Sequence, residues 1–147
     1  MQSVAVEGVY IVHHGNEAAP CVLLSPAHEK VVPIFIGLWE ALSIQAALMG
    51  EINIRPNTHD LLKDIIDVFG ISLISVCIDS LETGVFYASM RLQRGDTEET
   101  TDCRPSDGIA IAVRTRCPIY MEPVLLSSTL MLRSELPPLQ DISEYFQ

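Results

Sequence analysis

VVPIFIGLWEALSIQAALM, residues 31–49, is the stretch on which the fold class turns, because it is the best candidate for a membrane span. A span needs about 18 or more apolar residues with almost no charge. This one carries Pro33, Glu40 and Gln45. Its β-branched and aromatic start favours a strand up to Ile36, and after Gly37 the residues Leu38, Ala41, Leu42, Ala46 and Met49 recur at helical spacing. The stretch therefore predicts a strand and then a helix to about Met49. Pro33 has no N–H for a ladder, so that strand should lie at an edge or carry a bulge. The second face of the helix is nearly as apolar as the first, which predicts cover on more than one side and makes Glu40 conspicuous.

Upstream, Val4 to Val12 and Cys21 to Leu24 are strand-like runs separated by His14-Gly15-Asn16. Ala27-His28-Glu29 leads into Val31 to Ile36, completing an antiparallel meander. Its His13 and His14 point to opposite faces and cannot share an ion, and His28 should sit in a solvated turn. Downstream, Leu61, Leu62, Ile65, Ile66 and Phe69 predict the buried stripe of a second helix, with Lys63, Asp64 and Asp67 wet and Gly70 as its stop. Ile71 to Leu81 and Val85 to Arg94 form a hairpin pattern about Glu82-Thr83-Gly84, with Phe86, Ala88, Met90 and Leu92 on one face. Gly95 to Asp102 reads as a polar loop. A third helix should start near Pro105, end near Thr115 and turn Ile109, Ala112 and Val113 inward. Pro118 to Met121 predicts a short strand, Pro123 a short helix, and Pro137-Pro138 a C-terminal tail. The fold class is α+β: a mostly antiparallel sheet with three main helices, one domain over 1–131 and a tail over 132–147.

The chain has 147 residues, 48 % of them hydrophobic, and 9 basic against 19 acidic side chains, a net charge of −10. A domain of this size buries about 68–70 % of its unfolded surface and needs no metal or disulfide for its core. No C-x-x-C links Cys21, Cys77, Cys103 and Cys117, and no export signal opens the chain, so reduced thiols and a cytoplasmic setting are expected. A mean hydropathy of +0.29 predicts apolar surface left for self-association, hence a homo-oligomer, a dimer or higher. Lys30 and Lys63 stand beside seven arginines. The acidic balance weighs against nucleic acid held mainly through its phosphates.

Two helix starts are alike. Arg55-Pro56-Asn57-Thr58-His59-Asp60 precedes one, and Arg104-Pro105-Ser106-Asp107 the other. Proline at a helix entry, Ser or Thr as cap and Asp in the first turn explain both as structure alone. Asp60 and Asp107 are then caps or arginine partners, and Glu40 a buried partner of Arg104. A functional account uses the same residues. Helix starts and arginine forks hold phosphate, while Glu40, Asp60 and Asp107 could bind magnesium or manganese with His59 nearby. No G-x-S-x-G elbow surrounds Ser106, and nucleotide-binding glycine loops are absent from the sequence. Trp39 and Phe86-Tyr87 are assigned to the core rather than to base stacking.

Val32-Pro33-Ile34-Phe35-Ile36-Gly37, Glu40-Ala41, Arg55-Pro56 with Thr58-His59-Asp60-Leu61-Leu62, Phe86-Tyr87-Ala88 and Arg104-Pro105-Ser106-Asp107 resemble the bifunctional nuclease domain family, in order and spacing, over about residues 4–131. The resemblance implies a strongly curved, wrapping sheet with helices against it, frequent dimers or larger assemblies, and degradation of both DNA and RNA. Its matching polar set is Glu40, Thr58, His59, Asp60, Arg104, Ser106 and Asp107. Gly108 departs from the alanine common at that place in the family. Together with the helix starts, this yields a candidate catalytic set of His59, Asp60, Arg104, Ser106 and Asp107, substrate contacts at Arg55, Thr58 and Arg104, and a divalent cation at Glu40, Asp60 and Asp107. His59 would be the general base or acid and the arginines would stabilise the charged transition state. The alternative is a non-catalytic anion- or protein-binding module in which these residues form an internal polar network.

Overall fold

β-branched and apolar residues dominate the first three runs, and each becomes a strand: β1 (Gln2–His14), β2 (Glu17–Ala27) and β3 (Lys30–Phe35). The computed structural model describes residues 1–27 and 29–146, so the turn expected at His28 lies outside the described residues. Then come α1 (Leu38–Leu48), α2 (Thr58–Val68), β4 (Ser72–Glu82), β5 (Val85–Arg94), β6 (Thr97–Cys103) and α3 (Pro105–Thr115). The chain continues through β7 (Ile119–Met121), α4 (Pro123–Thr129), β8 (Met131–Leu132), a 3-10 turn (Arg133–Glu135), β9 (Leu139–Asp141) and α5 (Ile142–Tyr145). The strands form one open sheet in the order β6-β5-β4-β7-β1-β2-β3-β8, with β9 also paired to β1. Among the described residues only the β4–β7 pairing is parallel. The fold is thus a single α+β domain with a mixed, mostly antiparallel sheet. No helix among the described residues is long and apolar enough to cross a membrane.

Successive residues of a strand face opposite sides, and here both sides of the meander are covered. Val22, Leu24, Val32 and Ile34 join the main core with Ala41, Ile44, Ile109 and Ile111. Cys21, Leu23, Val31 and Val12 form a smaller core behind, closed by Tyr10, Met131, Leu136 and Leu139. The segment beyond residue 131 therefore packs onto the domain: β9 pairs Leu139–Asp141 with Tyr10–Val12, and Ile142 is completely buried. Pro33 meets the expectation of an edge. It lies opposite Leu23 of β2, while the pairing of β3 with β8 stops at Val31.

Three expectations are corrected. Gly95 to Asp102 is not a loop: Thr97–Cys103 is β6, paired with β5 from Arg94↔Thr97 to Ala88↔Cys103. An edge strand needs no apolar face of its own, and its charges discourage further pairing. The stripe assigned to α2 is only half buried. Leu62 and Ile66 reach the core while Leu61, Ile65 and Phe69 stay exposed, because α2 rests mainly on α3 and a helix with one neighbour buries one row. Finally, α1 buries Ala41, Ser43 and Ile44 but leaves Trp39 78 % exposed, so it is covered on one side only, and Trp39 is not a core residue.

Helix α3 runs through the centre, buried from Pro105 to Ala112 save Asp107 and closely apposed to β4. A Cβ added at Gly108 would come within 2.8 Å of Val76 Cγ1 and 3.0 Å of Cys103 Sγ. Glycine is thus required by packing although it weakens the helix by roughly 0.5–1 kcal/mol relative to alanine. Gly108→Ala should destabilise by about 1–2 kcal/mol, since overpacking of about 1–3 kcal/mol outweighs the helix gain. A thermal melt should show a fall of roughly 2–8 °C. An unchanged melting temperature would show that Val76 and Cys103 make room.

Candidate active site

The first turns of α1, α2 and α3 meet at an open cleft of about 1210 Å³. Their sequences explain where each helix starts. Gly37 caps α1 without a side chain, Asn57 caps α2 in a reciprocal box with Asp60, and Pro105 opens α3. The cap of α2 is thus Asn57, not Thr58, and α3 has no side-chain cap at all.

Arg104 is the hub. Its Nε donates to Asp107 Oδ2 at 2.7 Å, its Nη2 to Asp107 Oδ1 at 3.0 Å, and its Nη1 to Glu40 Oε1 at 3.1 Å. The side chain is still 65 % exposed. On the inner side, Asp107 Oδ1 lies 2.8 Å from His59 Nε2, and His59 Nδ1 lies 2.6 Å from Ser43 Oγ. Ser43 Oγ already accepts from Arg114 Nη2 at 3.0 Å and from Asn57 Nδ2 at 3.4 Å. Its own proton is therefore directed to His59 Nδ1, which leaves His59 donating from Nε2 to Asp107. Both ring nitrogens are committed inside the protein, and the residue is only 8 % exposed. Burial works to raise the Asp107 carboxyl, but the bonds from Arg104 and His59 outweigh it and hold it below the ordinary aspartate range. In return, Asp107 strengthens the hold of Arg104 on its proton.

Asp60 belongs to a second, inner group. Arg114 Nε donates to Asp60 Oδ1 at 2.8 Å, while the Asn57 N–H and Asn53 Nδ2 both donate to Asp60 Oδ2 at 3.0 Å. Arg114 also donates to the backbone oxygens of Ala110 and Ser43. Burial alone would raise Asp60, but these donors, led by Arg114, bring it down to about 2.

The expected site residues separate as follows. Glu40, Thr58, His59, Arg104 and Asp107 line the cleft, and Arg55 stands exposed on its rim, so the two arginine-led turns share one space. Ser106 is buried in the core side of α3, and Asp60 turns to Arg114. The three-carboxylate metal site does not form. Arg104 occupies the position between Glu40 and Asp107, and Asp60 is committed elsewhere. Among the described residues no group of three or more His, Cys, Asp or Glu side chains converges as metal donors. The donor set therefore does not fit a magnesium or manganese ion held by those three residues. Sequence reasoning missed Ser43 and Arg114. The signal was helical spacing, since Ser43 follows Glu40 by three positions and Arg114 follows Asp107 by seven, each pair on one helix face.

Residues 22–133 match the family model described as the bifunctional nuclease domain. An uncharacterized protein of Mycobacterium tuberculosis is 38 % identical over 133 residues, covering 90 % of this chain and 78 % of that protein. A protein of Oryza sativa subsp. japonica named bifunctional nuclease 2 is 29 % identical over 118 residues, 78 % of this chain. Its namesake in Arabidopsis thaliana is 29 % identical over 101 residues, 67 % of this chain. The matches span only 36 % and 31 % of those two plant proteins.

Asp60 supplies a pH test of the inner group. Its carboxyl binds protons more weakly folded than unfolded, so its stabilising contribution is complete above the ordinary aspartate range and is lost as pH falls toward about 2. The wild-type melting temperature should drop steeply across that window. Asp60→Asn should flatten this part of the profile while destabilising the protein at neutral pH by roughly 1–3 kcal/mol, since Arg114 loses its counter-charge. Parallel acid limbs for the two proteins would show that Asp60 is not coupled to Arg114.

Proposed function

From the premise that the chain belongs to the bifunctional nuclease domain family, we propose that it hydrolyses phosphodiester bonds of RNA and DNA, with little sequence preference, at this cleft. The observation that carries the reading is the Arg104 fork, clamped between Glu40 and Asp107 and open to a cleft shared with Arg55. Three of its five N–H groups are engaged by the two carboxylates, which leaves two for a phosphate. A fork held rigid beforehand stabilises charge that develops on the phosphoryl oxygens without reorganising during the reaction. Glu40 is the proton acceptor for the attacking water. Its Oε1 faces Arg104 and its Oε2 lies over Gly37. As water bonds to phosphorus, its proton passes to Glu40, the bond to the leaving sugar oxygen breaks, and the proton returns to that oxygen. Arg55 and Thr58 contact flanking phosphate on the rim. His59 is a positioning residue that holds Asp107, and hence Arg104, in place.

The engagement of both His59 nitrogens favours a second reading, in which the network fixes the helix ends of a non-catalytic anion-binding module.

Cleavage of single-stranded and duplex RNA and DNA by purified protein, in magnesium, in manganese and in chelator, decides between them. Glu40→Gln should reduce turnover roughly 10²–10⁴-fold with a melting temperature within about 2 °C of wild type. Gly37→Ala should keep the backbone, since φ there is −72°, but its Cβ would fall on the Glu40 carboxylate and push it off Arg104. A loss of up to about 10²-fold in turnover is expected from that displacement. If wild-type protein cleaves no substrate under any of the three conditions, the nuclease reading ends. If Asp107→Asn then only lowers stability, the module stands.

A further inference from the structure

We propose that the cleft takes an unpaired nucleotide base on the face of Trp39, beside the arginine fork, so that single strands are held in preference to duplex. This deepens the nuclease reading and rests on it. Trp39 is the only tryptophan of the chain, and it stands exposed on the cleft wall next to Glu40, the partner of Arg104. What sets this indole apart from the other exposed apolar side chains is its place beside the arginine fork and within an apolar lining, where a ligand can cover it. The lining of the cleft is apolar elsewhere as well: Met49, Ile52, Ile54 and Phe146 are part of it and are all exposed, Ile52 to 97 %.

Charge decides which part of a nucleic acid such a cleft can hold. Its cations are Arg55 and Arg104, and its acids are Glu40, Glu51 and Asp107. The lining is therefore slightly acidic, in a chain of net charge −10. A surface of this kind cannot bind by neutralising a run of phosphates. It offers an anion position at the unused N–H groups of Arg104, with Arg55 the other cation of the lining, and an apolar surface that fits the face of a base. Stacking of a base on an aromatic side chain is sequence-tolerant and independent of net charge. A duplex keeps its base faces covered and presents phosphate, the part this cleft holds poorly. A second copy of the chain would bring two net charges of −10 together, whereas a nucleotide supplies both an apolar face and an anion for the arginines.

The test is equilibrium binding of a labelled oligothymidylate of about eight nucleotides, a duplex of equal length and an abasic strand of equal charge. Label anisotropy is measured for every protein, and the intrinsic fluorescence of Trp39 for wild type. The strand should quench Trp39 saturably and bind at least about tenfold more tightly than the duplex or the abasic strand. Trp39→Ala should weaken strand binding about tenfold or more, and Trp39→Phe should recover part of the loss. A plot of log affinity against log salt should have a slope of about −1, as for one or two phosphates. Equal binding of duplex or abasic strand, or no effect of Trp39→Ala, overturns the proposal. So does Trp39 emission that shifts with protein concentration, which would place a second copy over the indole. Cleavage assayed on the same samples reports separately on the nuclease: a strand bound as described and left intact removes the activity and keeps the base site.

Discussion

Arg114 is 7 % exposed, and a buried guanidinium must find acceptors for its N–H groups or destabilise the fold. It finds them on three helices: Asp60 and Asn57 at the start of α2, Ser43 on α1, and Ala110 on its own helix α3. Asp60 is itself partly exposed, so losing its charge costs roughly 1–3 kcal/mol, which is enough to bind these helix positions to one another. From Ser43 the constraint passes outward through His59 to Asp107, then to Arg104 and Glu40. The groups at the cleft surface are thus placed by a cation in the interior, through hydrogen bonds that leave each member little freedom.

This arrangement explains why two similar helix starts have different fates. Arg104 precedes Asp107 by three positions and reaches it around the first turn, forming a two-bonded fork. Arg55 precedes Asp60 by five, with Asn57 as the cap between them, and Asp60 turns inward to cap α2 and to pair with Arg114. The same residue types therefore supply an exposed fork in one case and an internal brace in the other. Carboxylates at helix starts serve both purposes equally well, and the offset from the arginine decides which.

Much of the fold was legible because burial imposes periodicity. The meander, α1, α3 and the hairpin of β4 and β5 were all readable from residues such as Val22, Leu24, Ile109 and Ala88, whose spacing matches the side they bury. β6 was not readable, since Thr97–Cys103 is an edge strand with no side to bury and hence no alternation. The outer row of α2 and the indole of Trp39 misled for the opposite reason: apolar spacing marks a face without saying whether anything covers it. Of the site, Glu40, His59, Arg104 and Asp107 were legible as polar residues at helix starts. Ser43 and Arg114 were not, because their roles depend on three helices meeting, and Asp60 was assigned to the wrong group for the same reason.

The close approach of α3 to β4 reaches further than stability. Gly108 follows Asp107 directly, and the space its missing side chain leaves is filled by Val76. Neither residue touches the cleft, yet together they set how deep the start of α3 sits, and so where Arg104 stands. In evolutionary terms the two positions share one volume. A larger residue at 108 calls for a smaller one at 76, and the pair should be inherited as a unit.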